Sequence, residues 1–274
     1  VGIAVALKGY GLWALVARDM LSTVIACVVM WFKVDWRPKF VVNFGRIKVL
    51  FGFGWKCLMS GVIDTIYMEL STFIIGKKYN ASTLGQYSRG KQFPQLIATT
   101  VNGAVSAVML PVLSSRQEKR EEARQMMRSS ITLTCFVLFP VLAGMAAVAN
   151  PMVRLLLTDK WLPCVPYLQV YCITFAFNPL QTCNIQAVNS VGRSDICLKL
   201  EIIKKCYGVV ILLAAVFLFR SPMAIAVSTA IESVISIFVN GWPNKKLMNY
   251  SGFAQLKDLA PALLLSIVMF LIVE

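Results

Sequence analysis

Acidic and amide side chains recur inside the apolar stretches of this chain, and these are the residues that could do chemistry. Asp64, Glu69 and Glu232 each interrupt a run otherwise suited to a membrane interior, where an ionisable group is costly and marks a pathway or relay by default. Polar residues repeat around them at helical spacing. Lys56, Ser60, Asp64, Tyr67 and Ser71 are separated by 4, 4, 3 and 4 residues, so they share one helix face. Thr65, Glu69 and Thr72 lie one step round from it. Gln95, Thr99, Asn102 and Ser106 repeat a 4, 3, 4 spacing. Asn178, Gln181, Thr182, Asn184, Gln186 and Asn189 crowd a third segment, and Thr229, Glu232, Ser233, Ser236 and Asn240 mark a fourth. Together the four stripes predict a shared hydrated interior whose hydroxyls and amides suit a sugar. The competing reading is that serine, threonine and asparagine join helices to one another, at roughly 0.6 kcal/mol per bond. For the carboxylates the competing reading is a buried pair with a basic residue such as Lys56. Asp64 and Glu232 are the candidates for ion or proton coupling, and Asn102, Gln181 and Asn184 for contact with a polar solute.

Other chemistries are excluded by what the sequence lacks. There is no histidine, which removes His-based acid/base catalysis, Ser-His-Asp and Cys-His nucleophiles and HExxH-type metal sites. The eight cysteines contain no CxxC pair and read as small buried hydrophobes rather than as a disulfide or metal framework. A net charge of +14 is the first mark of a nucleic-acid binder. Here the basic residues lie in short gaps between apolar runs, where they face anionic headgroups and hold topology. No nucleic-acid partner is expected, and the bilayer is.

The elements that must carry the stripes follow from those gaps. Hydrophobic residues make up 58% of the chain and charged residues 15%, far from the soluble balance. Alternate gaps hold 18 lysines and arginines, the intervening gaps hold eight, and Arg18 lies within a run. Cytoplasmic loops carry that excess, which sets an orientation. Spans of about 20 residues are predicted at 12–32, 54–75, 93–113, 131–152, 165–188, 202–219 and 223–242. A further one starts at Leu259. Lys33–Phe53, with Phe40, Val41, Phe44, Ile47 and Phe51 near helical spacing, predicts a basic amphipathic helix in the cytoplasmic interface. A long external loop is expected around Asn80–Lys91. Asn80-Ala81-Ser82 matches the glycosylation pattern by chance. Pro179 predicts a kink that frees a carbonyl in a cavity-lining helix. Because the first and last runs are cut short, the chain reads as part of a longer protein.

Motifs in the loops carry a resemblance. Gly9-Tyr10-Gly11-Leu12-Trp13-Ala14-Leu15-Val16, Trp36-Arg37-Pro38, Phe53-Gly54-Trp55-Lys56 and Leu84–Pro94 (LGQYSRGKQFP) come in order, followed by Thr158–Pro163 (TDKWLP), Gly192-Arg193-Ser194-Asp195 with Leu200–Lys205, and Pro243-Asn244-Lys245-Lys246. Over nearly the whole length the chain resembles the Wzx-type polysaccharide flippases, colanic acid exporters above all, of the multidrug/oligosaccharidyl-lipid/polysaccharide superfamily. Glu69 and Ser88 depart from the asparagine-like residues expected there. The resemblance implies an all-α, MATE-like bundle of two inverted-V lobes with alternating access, mainly the second lobe being present. On that basis 1–32 ends the first lobe, 33–53 is the basic interfacial linker, 54–243 is the second six-helix lobe, and 244–274 is a cytoplasmic loop and the start of a C-terminal span. It also implies a bacterial inner-membrane transporter, not an enzyme. The substrate would be an undecaprenyl-diphosphate-linked oligosaccharide. No cofactor is implied beyond a coupling proton or sodium ion, and polysaccharide assembly enzymes are the implied partners. Lys56 and Arg89 become candidates for diphosphate contact, since ammonium and guanidinium groups bind phosphate oxygens. Two alternatives stand beside this reading: a multidrug/cation antiporter of the same superfamily, and a polytopic glycan polymerase or transferase.

Overall fold

The computed structural model describes residues 13–34, 44–115, 119–219 and 221–273, all helices and short connections with no strand among them. Two compact units divide at Lys48 and Val49. The first contains α1 (Trp13–Lys33) and the opening turn of α2 (Phe44–Lys78). The second holds the rest of α2, then α3 (Ala81–Ser114), α4 (Arg120–Ala147), the short α5 (Ala149–Leu157) and a 3-10 turn, Asp159–Cys164. It continues with α6 (Val165–Ala176), α7 (Asn178–Ser190), α8 (Ser194–Ala214) and its π-helical extension Ala215–Phe219. The last two helices are α9 (Pro222–Leu247) and α10 (Gly252–Val273).

Several expected boundaries move, each for a local reason. The stretch before Gly54 is not a separate interfacial helix from Phe44 onward. Helix α2 runs unbroken from Phe44, because Gly45, Gly52 and Gly54 each cost a helix only about 1 kcal/mol and no proline intervenes. Trp36-Arg37-Pro38, Phe40 and Val41 lie outside the described residues, as do Val1–Leu7 and Gly9-Tyr10-Gly11. The long external loop shrinks to a tight turn. Asn80 ends it by accepting a 2.8 Å hydrogen bond from the Thr83 amide, an N-cap that starts α3 at Ala81. Arg89 and Lys91 are therefore helical. The last span starts earlier than Leu259, at Gly252, where the Ser251 hydroxyl accepts from Ala254 N at 3.3 Å. The kink at Pro179 is a full break between α6 and α7, since that proline has no N–H to continue the ladder.

Six helices of the second unit are long and apolar enough to cross a membrane: Leu50–Lys78, Ala81–Ser114, Arg120–Ala147, Ser194–Phe219, Pro222–Leu247 and Gly252–Val273. Their outer faces carry large exposed apolar side chains, such as Leu133, Phe136 and Val137 on α4 and Leu264, Leu265 and Val268 on α10. Faces of that size require lipid, and helices satisfy their own backbone there. The chain is an all-α, multi-pass membrane protein.

Inside, α10 packs along α4, α3 along α6 and α7, and α9 against α6, α7 and α8. The α3–α6 approach requires glycine at position 90, where a Cβ would come within 2.6 Å of Tyr167 Cβ and 2.8 Å of the Cys164 carbonyl oxygen. One end of the bundle gathers basic residues. There Arg128 on α4 meets Asp258 on α10 at 2.6 Å, and Tyr250 donates to the same carboxylate at 2.7 Å. Burial and that neighbouring carboxylate push the Tyr250 hydroxyl above the ordinary phenol range. At the opposite end Lys78 donates to the Val216 carbonyl at 2.6 Å, tying α2 to the π-helical turn.

Candidate functional site

A cavity of about 310 Å³ opens inside the second unit, lined from α2, α3, α6, α7, α8 and α9. Three of the predicted stripes reach it in part or in full. From α2 come Asp64, Tyr67 and Ser71; from α7, Asn178, Gln181, Thr182 and Gln186; from α9, all of Thr229, Glu232, Ser233, Ser236 and Asn240. The α3 stripe does not hold. Only Asn102 lines the cavity, together with Tyr87 and Lys91, while Thr99 spends its hydroxyl on the Gln95 and Leu96 carbonyls.

The largest departure is on α8, which contributes Glu201, Lys204 and Lys205. The basic set of 18 in alternate gaps counts Lys204 and Lys205 toward a cytoplasmic gap. They lie some ten residues into the helix, about 15 Å from its start at 1.5 Å per residue. A local signal was present: Glu201 and Lys204 stand three apart, the spacing at which helical neighbours pair.

These charges are paired. Lys205 Nζ lies 2.8 Å from Asp64 Oδ1 and 3.5 Å from Glu232 Oε1, bridging α8 to α2 and α9. The same ammonium sits 4.3 Å from the centroid of the Tyr67 ring, an attractive cation–π arrangement. The Tyr67 hydroxyl faces Glu232. Glycine at 208 allows this, since a Cβ there would meet the Tyr67 oxygen at 2.7 Å. Lys204 pairs with Glu201 in a second buried contact. Lys91, half-buried on α3, has no ion-pair partner among the described residues.

Neutral groups complete the lining. Gln181 donates to Ser233 Oγ at 3.1 Å, and Ser233 donates to the Thr174 carbonyl at 2.9 Å. Tyr207 and Ser236 share a 2.8 Å hydroxyl contact, and Tyr171 donates to Tyr87. Asn102 Oδ1, Gln186 Oε1, Glu201 Oε2 and both amide atoms of Asn240 are buried without a protein hydrogen-bond partner. Buried polar atoms of that kind call for water or a polar ligand. The arrangement can hold a hydroxyl-rich solute carrying negative charge. No cluster of three metal-ligating side chains exists among the described residues.

Comparison with known proteins agrees with the resemblance in the loop motifs. Residues 1–166 match the family described as polysaccharide biosynthesis protein. The chain belongs to this family. Among its curated relatives is the teichuronic acid biosynthesis protein TuaB of Bacillus subtilis, 24% identical over 77% of this chain and 44% of the relative. The succinoglycan biosynthesis transport protein ExoT of Rhizobium meliloti is 24% identical over 64% of this chain and 35% of its own length. The lipopolysaccharide biosynthesis protein WzxC of Escherichia coli is 21% identical over 62% and 34%. The chain thus spans less than half the length of each of these relatives. No solved structure matches it at comparable significance.

The remaining predicted site residues of this family member stand outside the cavity. Arg89 is exposed, its guanidinium 5.3 Å from the Trp161 ring centroid and donating to Gln92 at 2.9 Å. Lys56 is half-buried toward the basic end, close enough to influence Asp195. Glu69 is exposed. Asn184 belongs to a sealed amide cluster: it donates to Gln255 Oε1 at 2.8 Å, and its own oxygen accepts from Gln255 at 2.9 Å and Asn244 at 2.7 Å. A second hollow of about 440 Å³, between α4, α6 and α10, is walled by Phe139, Leu142, Phe177 and Phe270 and is almost wholly apolar.

Proposed function

We propose that this chain forms one half of the translocation path of a transporter that moves lipid-linked oligosaccharide units across the bacterial inner membrane for polysaccharide export, without catalysing a covalent step. The observation that carries the reading is the cavity itself: amides, hydroxyls and three lysines gathered inside a bundle of membrane-spanning helices, in a member of a polysaccharide-biosynthesis family. The names of the relatives, which include a succinoglycan transport protein, support the same class of cargo.

The division of labour follows from the chemistry of the lining. Asn102, Gln181 and Asn240 offer donors and acceptors to sugar hydroxyls. Lys91 offers an ammonium that no carboxylate holds, so it is the first contact for a diphosphate or an acidic sugar. Lys205 is available to an anion only in competition with Asp64, whose side chain is 50% exposed. The prenyl tail stays in hydrocarbon, outside the polar path. An antiporter of organic cations is disfavoured, because the first free charge in the cavity is itself a cation.

The test is complementation of a host lacking its own exporter of undecaprenyl-diphosphate-linked units, with the lipid-linked intermediate followed by leaflet. Restored surface polysaccharide with the native protein, and accumulation of the intermediate on the cytoplasmic leaflet with Lys91→Ala, is the expected outcome. Intact polysaccharide after deletion in the native host, with sensitivity to cationic drugs instead, overturns the reading.

A further inference from the structure

Asp64 and Glu232 lie on different helices yet converge on one point inside the bundle. Two carboxylates converging at membrane depth make the kind of site in which a transporter holds an alkali ion, since hard monovalent cations want oxygen ligands and the carboxylates want positive charge. Here that point is occupied by part of the protein. Lys205 Nζ sits against both oxygens, and the Tyr67 ring lies on the ammonium. The side chains of Lys205 and Glu232 are 12% and 11% exposed, so the contact with Glu232 is sheltered, whereas Asp64 opens toward the cavity.

We infer that Lys205 is a tethered resident cation: it fills the Asp64–Glu232 site and excludes alkali ions from it, so this pair balances its charge without sodium. The tether gives the ammonium an effective concentration that a free ion must outcompete. A second cation about 4 Å from the ammonium would also meet a repulsion that weakens its binding about a thousandfold at an effective dielectric of about 20. Lys204 cannot take over the role, because it is committed to Glu201 on its own helix. The inference holds whatever solute the cavity carries.

The experiment uses the intact protein in detergent, melted in sodium, potassium, lithium or N-methylglucamine chloride at one ionic strength, with radioactive sodium binding in parallel. Wild type and Lys205→Arg are expected to melt alike in all four salts and to bind no sodium. Lys205→Ala exposes the two carboxylates and is expected to bind sodium. At roughly tenfold excess over Kd that binding raises its melting temperature by about 3–6 °C. Adding Glu232→Gln to Lys205→Ala should abolish the response. Sodium binding by wild type that is lost in Glu232→Gln overturns the inference, as does a folded Lys205→Ala that responds to no alkali ion. If Lys205→Ala does not fold, wild type and Glu232→Gln decide: melting that is independent of the cation in both supports it.

Discussion

Two buried polar clusters sit in the same bundle and differ in one respect that matters. Around Asn184, Gln255 and Asn244 the groups are neutral, almost fully enclosed and bonded to one another. Around Lys205 the groups are charged and border a cavity, with one partner half exposed and several neighbouring polar atoms left without a protein partner. The first cluster is closed on itself and joins α7, α9 and α10. The second is open on one side, so its groups can exchange partners. Burial alone does not separate them, and neither does hydrogen-bond satisfaction, since Asn244 Oδ1 is also without a partner; net charge and an open side toward the cavity do.

That contrast can be broken by substitution. The largest effect is expected at Lys205→Met, which strands Glu232 as an unpaired buried carboxylate. A loss of about 3 kcal/mol in detergent denaturation is expected, with complementation lost as well. Next, Asn184→Leu leaves Gln255 and Asn244 unsatisfied and should cost about 2–3 kcal/mol. Export per folded molecule should nevertheless stay near normal, measured as polysaccharide against membrane-inserted protein. Loss of export without loss of stability in that variant would show that the sealed cluster belongs to the path. A smaller stability effect, under about 1 kcal/mol, is expected for Glu232→Gln, which keeps the side-chain volume and leaves Lys205 with Asp64. Its export should fall sharply, which separates charge from shape in the open cluster. Smallest of all is Arg128→Ala at the basic end, where the arginine is mostly exposed and solvent screens its ion pair; melting in detergent and export should both stay near wild type.

Some of this was legible in the residue order. The α9 stripe reached the cavity complete, because a helix facing a polar interior along its length repeats its polar residues at the helical period. Asp64, Glu232, Asn102 and Gln181 were named from spacing and all line one cavity. The break at Pro179 followed from a missing N–H. The α3 stripe misled because a threonine on a helix can spend its hydroxyl on its own backbone, leaving the periodicity without a shared purpose. Asn184 shares its helix with Gln181 but turns toward Gln255 on α10 and Asn244 on α9, and those two neighbours make its amide a joint. Lys204, Lys205 and Lys91 read from the sequence as gap residues but line the cavity, since a lysine beside an apolar run looks the same whether it anchors an end or enters the interior.

By itself the sequence determined the class of molecule, its helical segments and their apolar outer faces. Those properties are local: hydropathy and helical period depend on residues within a few turns of one another. Only the tertiary structure decided which polar residues meet and which lysine sits between Asp64 and Glu232. It also decided which amide cluster is sealed and which is open. Pairing depends on the rotation and depth of helices far apart in the chain, and a charge has no fixed role until its neighbours across the bundle are known.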